Sequence, residues 1–198
     1  MELIFKALFW VANSLLIPDV IILLCLFFRS LILLGSFYNQ FMTKRKNDKI
    51  LNNKIKESTA TSVSELNQLL PEKDNSLYIK YLRELLNTKP SEAYADFLIS
   101  NFENEADKDL SLSKILAKMG PVLGLIGTLI AMSPALVGLS TGDIAGMAHN
   151  MQVVFAATVI GLVVSAVGLL TQQFKQRWYA RDVNNLDFVA NLLTEKQN

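Results

Sequence analysis

The sequence predicts an all-α membrane protein: three transmembrane helices with long cytoplasmic helical extensions, preceded by an N-terminal interfacial amphipathic helix. Three observations carry this expectation. Hydrophobic residues make up 51% of the 198-residue chain, and charge is segregated. From Met119 to Phe174 the sole charged residue is Asp143, whereas charges recur every few residues between Lys44 and Lys118. Three stretches approach the roughly 20 apolar residues that cross a hydrocarbon core at about 1.5 Å per residue. Basic residues gather beside those stretches in a pattern that assigns one side to the cytoplasm.

Taken in order, residues 1–17 place Glu2, Lys6 and Asn13 within a narrow arc at 100° per residue. Leu3, Ile4, Leu8, Phe9, Trp10, Leu15 and Leu16 cover the rest, and Pro18 breaks the pattern. This is the pattern of an interfacial amphipathic helix. A signal peptide is the rival reading, against which stand Glu2 and the lack of an Ala-x-Ala site. Residues 19–41 form the first span, with "VIILLCLFF" and "SLILLG" interrupted at Arg29. Residues 42–118 are a cytoplasmic segment that opens on "TKRKNDK" and is divided at Pro71 and Pro90. Within it, "SLYIKYLRELL" sets Leu77, Tyr81, Leu82 and Leu85 on one helix face. Ser91 suits an N-cap, and Tyr94, Phe97, Leu98, Phe102 and Ala106 recur at helical spacing after it. With no proline before Pro121, that helix is expected to run into the second span, residues 119–139. A short outer loop, residues 140–149, leads to the third span at 150–171, which continues as a C-terminal cytoplasmic helix at 172–198. The expectation is of long helices projecting into the cytoplasm rather than a separate globular domain.

Orientation follows from Lys44, Arg45, Lys46 and Lys49 after the first span, Lys114 and Lys118 before the second, and Lys175, Arg177 and Arg181 after the third. The linker between spans two and three carries no Lys or Arg, so the N-terminus is placed outside and the C-terminus in the cytoplasm.

Catalytic and metal chemistry find little material here. The single cysteine, Cys25, and single histidine, His149, form neither a disulfide nor a metal site with ordinary ligand spacing. No phosphate-cradling loop, nucleophile elbow or paired-carboxylate motif appears in the polar portion. An enzyme, a bound metal or cofactor, and a nucleic-acid partner are therefore not expected.

The second span carries a different message. On a helical wheel Gly120, Gly124, Gly127, Thr128, Ala131, Ala135 and Gly138 make one small-residue face, which permits close backbone approach in lipid. Pro121 is placed near the start of the span, where a missing N–H costs least, and Pro134 deeper, where a kink is expected. In the third span Thr158, Ser165 and Gln172 recur every seven residues, with Gly161 and Gly168 falling between them. A plain reading has hydroxyls satisfying backbone carbonyls and glycines permitting packing. Two such stripes in adjacent antiparallel spans point further, to a pore wall or a binding surface for a partner helix. Spans two and three contain no ionisable group, and hydroxyls do not titrate near neutral pH. If the chain conducts protons, the titrating carboxylate must come from another polypeptide.

"GPVLGLIGTLIAM" followed by "AATVIGLVVSAVGLL" resembles the MotA/TolQ/ExbB proton channel family, which pairs a proline and a G-L-x-G-T run on one span with an A-T-x-x-G-L run on the next. The likeness covers residues 115–175, and span number and topology resemble the TolQ/ExbB branch. It implies a channel subunit of a proton-motive-force-driven motor in the bacterial inner membrane. The implied assembly is a homopentamer around a pair of single-span, ExbD/TolR-like partner helices. The partner's membrane aspartate would carry the proton past Thr128 and Thr158, with Ser165 on the same partner-facing stripe. Gly120, Gly124, Gly127, Ala131, Gly161 and Gly168 would form the helix-packing face. H⁺ is the expected coupling ion, with Na⁺ left open, and no cofactor is implied. The chain departs from the family where some members carry a glutamate about five residues before the third-span threonine; here Val153 stands beside Gln152. Asp143 and His149 are read as a solvated loop pair or a pore-mouth substitute. Asp19 and Arg29, ten residues apart, are read as structural. Two alternatives stay open: a non-conducting scaffold assembled through the small-residue faces, and a small-solute permease subunit.

Overall fold

A computed structural model of the chain describes residues 1–57, 76–88 and 91–195. The divisions expected at Pro71 and Pro90 lie outside the described residues. Among the described residues there are four helices: α1 (Glu2–Glu57), α2 (Leu77–Thr88), α3 (Glu92–Ser140) and α4 (Ile144–Glu195). Three of them, α1, α3 and α4, are long and apolar enough to cross a membrane. Pro18 does not end the N-terminal helix, which passes through it without a break. Pro18 itself is exposed. The chain divides into two compact units, one of residues 1–37 and 112–172, the other of residues 38–111 and 173–198.

The first, apolar unit holds the three apolar stretches. Its buried positions follow a heptad rhythm: Asp19, Leu23, Leu26, Ser30, Leu33 and Phe37 on α1, all buried or half-buried. On α4 the series is Val154, Ala157, Gly161, Val164, Gly168 and Thr171. Alternating steps of three and four residues keep one narrow stripe in register with a neighbouring helix, as in left-handed bundles. Leu23 packs with Leu123 and Ala157, and Leu33 with Leu116 and Val164.

The connection between α3 and α4 is three residues, 141–143, instead of the ten expected at 140–149, because residues 144–149 already form the first turns of α4. Gly142, at φ 78°, supplies the left-handed residue, and the amide of Asp143 reaches back to the carbonyl of Gly138 while that of Gly142 reaches Leu139. This is a Schellman closure, which satisfies carbonyls left over at a helix end. Asp143 then caps α4, its Oδ1 accepting the Gly146 amide at 2.9 Å. The solvated-loop reading of Asp143 and His149 is replaced by a structural one for the aspartate, and His149 is exposed on α4. Asp143→Ala is expected to lower stability by about 1 kcal/mol while Asp143→Asn keeps the cap, a contrast readable in thermal unfolding.

The second unit, built where α1, α3 and α4 continue as long helices and joined by α2, has a core of its own. Ile79, Leu82 and Leu85 of α2 meet Leu98 and Phe102 of α3 and Leu186 and Val189 of α4. The face expected on α2 is the one buried, with Tyr81, Leu82 and Leu85 inside and Leu77 packed against them. On α3 the face turns slightly: Ala95, Leu98, Phe102 and Ala106 are buried, while Tyr94 and Phe97 are exposed and pair their rings with each other. The Tyr81 phenol is pushed up from its ordinary range, first by burial and then by its hydrogen bond to Glu105. Lys175, counted among the orientation-setting basic residues, is buried and donates to Asp109 Oδ2 at 2.7 Å, an oxygen that also accepts from Tyr179 at 2.6 Å. Lys44 pairs with the buried Asp182 and lies over the rings of Tyr78, Trp178 and Tyr179.

Candidate functional site in the apolar unit

Glycine decides how closely α3 and α4 approach. A Cβ placed on Gly120 would lie 2.5 Å from the carbonyl oxygen of Gly161, and one on Gly161 would lie 2.5 Å from that of Gly120. Gly124 packs against the Ala157 carbonyl and the Cα of Thr158, and a Cβ on Gly168 would meet the Ala117 nitrogen at 2.5 Å. Ala131 and Ala135 are buried on the same side of α3. The small-residue face thus receives α4 of the same chain, backbone against backbone, the contact by which helices associate without a hydrophobic driving force.

Pro121 lies 29 residues inside α3, not at a helix start. Lacking an N–H, it leaves the Ala117 carbonyl, four residues earlier, without its helical donor. Ser165 of α4 supplies the replacement, its Oγ donating to Ala117 O at 3.0 Å. Ser165 is buried, so its hydroxyl is committed inside the chain, whereas Gln172 is half-buried.

The two threonines are placed otherwise. Thr128 and Thr158 are both half-buried. Each donates to a carbonyl of its own helix, Thr128 to Leu125 at 2.7 Å and Thr158 to Val154 at 3.1 Å. Gly124, one turn before Thr128, touches the Thr158 backbone, which sets the two hydroxyls at neighbouring levels of the helix pair. A hydroxyl that donates to a local carbonyl still has lone pairs with which to accept.

The model of the MotA/TolQ/ExbB proton channel family matches residues 37–187. The chain belongs to this family. Comparison with curated proteins and with solved structures gives no match. As a MotA/TolQ/ExbB protein it is a membrane protein with three apolar helices and an ion-channel, stator-like character. The matched stretch takes in both threonines and all of the α3–α4 glycine contacts, and leaves out residues 1–36.

That unmatched segment contains a residue whose setting periodicity alone does not reveal. Asp19 is 5% exposed, and among the described residues neither carboxylate oxygen has a hydrogen-bond partner. A Cβ built on Gly127 would sit 3.0 Å from Asp19 Oδ2 and 3.0 Å from the Ala157 side chain. The available signal was register: Asp19 stands one turn before Leu23 on the stripe that α1 buries. Arg29 is exposed on α1, as are Gln152 and Val153 on α4.

Proposed function

We propose that this chain is the channel subunit of a proton-driven motor of the TolQ/ExbB type in the bacterial inner membrane. Five copies surround a pair of single-span partner helices, with the N-terminus outside and the C-terminus cytoplasmic. The partner's membrane aspartate carries the proton, and ion flow turns the pentamer relative to the partner pair, doing mechanical work across the envelope. The observation that carries this reading is the placement of Thr128 and Thr158. Both hydroxyls are half-exposed at neighbouring levels of α3 and α4 and keep their acceptor capacity, within the stretch that the family model matches. A protonated carboxyl passing that level can donate to them, and a carboxylate can accept from them once the hydroxyl hydrogen turns about the Cβ–Oγ1 bond. Ser165 is better read as a structural donor than as part of this path, because its proton already serves Ala117.

The packing also weighs between the alternatives. A scaffold assembled through the glycine faces would need them free, and Gly120, Gly124, Gly161 and Gly168 are taken up within the chain. A permease built on the Thr158–Ser165–Gln172 stripe would need Ser165 accessible, and it is buried.

Valine replaces threonine with nearly the same shape and no hydroxyl. Thr128→Val and Thr158→Val are expected to lower proton-driven activity about tenfold or more each, the worth of a hydrogen bond to a charged group, with assembly and helical content unchanged. Proton uptake by vesicles holding the chain and its partner measures this. Full activity in both variants would remove the threonines from the path.

A further inference from the structure

We propose that Asp19 is a monovalent-cation site belonging to this chain, taking up a proton or a sodium ion between α1, α3 and α4. Three features of the apolar unit lead there. Asp19 is buried with both oxygens unpartnered among the described residues, and an uncompensated carboxylate in an apolar interior carries a heavy desolvation cost. The helices packed on it offer no counter-charge: α3 from Met119 to Ser140 has no charged or titratable side chain, and α4 from Ile144 to Gln172 has only His149. On α1 itself the nearest cationic group along the chain is Arg29, ten residues away and exposed. What compensates the carboxylate must therefore be small enough to sit inside the packed seam. A proton or an alkali cation on the carboxylate oxygens meets that condition.

Position gives the site a use. A Cβ on Gly127 would lie 3.0 Å from both Asp19 Oδ2 and the Ala157 side chain, and Gly127 and Ala157 are the residues immediately before Thr128 and Thr158. One residue is a rise of about 1.5 Å, so the carboxylate stands behind the helix pair at nearly the level of the two hydroxyls. Gly127 makes room for it, since a side chain there would press on Oδ2. Ionisable groups within membrane segments are uncommon and usually tied to ion movement. The inference draws on the ion-coupled reading for this use alone; cation binding by Asp19 does not need the partner's aspartate.

The test uses the full chain in lipid vesicles without any partner, so its outcome is separate from that of the threonine variants. Infrared difference spectra of protein carrying isotope-labelled aspartate are recorded across a pH step, and across a sodium step at constant pH. Wild type is expected to show one carboxyl band that responds to a cation and that Asp19→Asn lacks, one responding group fewer per chain. Asp143→Asn is expected to keep that band. A response to pH alone assigns the proton, and a response to sodium at fixed pH assigns the metal ion; either supports the site. An Asp19 carboxyl that answers to neither step overturns it. Should Asp19→Asn lose helical content, Asp19→Glu is the second variant. The site requires it to give a shifted band with the same response, and a folded Asp19→Glu without one counts against the proposal.

Discussion

Gly161→Ala is expected to force α3 away from α4 and to destabilise the protein strongly. The added methyl would meet the Gly120 carbonyl oxygen at 2.5 Å, the Gly124 Cα at 3.0 Å and the Gly124 nitrogen at 3.2 Å. Every one of these is a backbone atom, so no rotamer change relieves the contact and the helices themselves must shift. Overpacking a core usually costs about 1–3 kcal/mol, and a site walled by backbone lies at or above the upper end. The loss weighs more in lipid, where close packing replaces water expulsion as the force holding helices together. Gly35→Ala is the matched comparison. Nothing lies within 4 Å of the methyl it would add on α1, and alanine is the better helix former by about 0.5–1 kcal/mol. Denaturant titration in mixed micelles should show Gly161→Ala strongly destabilised and Gly35→Ala unchanged or slightly more stable. Equal midpoints for the two would mean that the α3–α4 crossing is not where the glycines place it.

Ser165→Ala should be costly only while Pro121 is present. In the native chain it removes the donor that serves the Ala117 carbonyl, leaving a buried acceptor unsatisfied at about 1–3 kcal/mol. Pro121→Ala restores a backbone N–H four residues after Ala117, so the helix can satisfy that carbonyl itself. In the Pro121→Ala background, Ser165→Ala should then fall to a few tenths of a kcal/mol. The four proteins form a double-mutant cycle whose coupling energy is expected to exceed about 1 kcal/mol. A Ser165→Ala penalty of the same size in both backgrounds would rule out this compensation.

The apolar stretches, their small-residue periodicity and the paired motifs around Thr128 and Thr158 are legible in the sequence because each is a local pattern. What sits against a face is not local. Gly120, Gly124 and Gly127 reveal that some backbone comes close, and only the fold shows α4 and α1 of the same chain arriving there. The cost of Pro121 is hidden for a related reason: it stands near the start of the apolar span but far inside the helix. A membrane span and a helix are different objects, and α3 starts at Glu92, well before the apolar stretch does. Tyr94 and Phe97 look like core by size, yet the helix turns the smaller Ala95 inward. The setting of Asp19 is not legible for the same reason: spans two and three hold no ionisable group of their own, and the carboxylate near Gly127 is delivered by span one. Its neighbours are set by helix register, which no spacing within α1 specifies.

The Schellman closure at Gly142 bears on mechanics. A ten-residue loop would act as a hinge, absorbing any twist applied to one helix before the other felt it. Three residues pinned by two backbone hydrogen bonds, with an aspartate cap directly after, leave almost no slack. At that end α3 and α4 are joined as a single stiff fork, and a torque on either prong is passed to the other without lag.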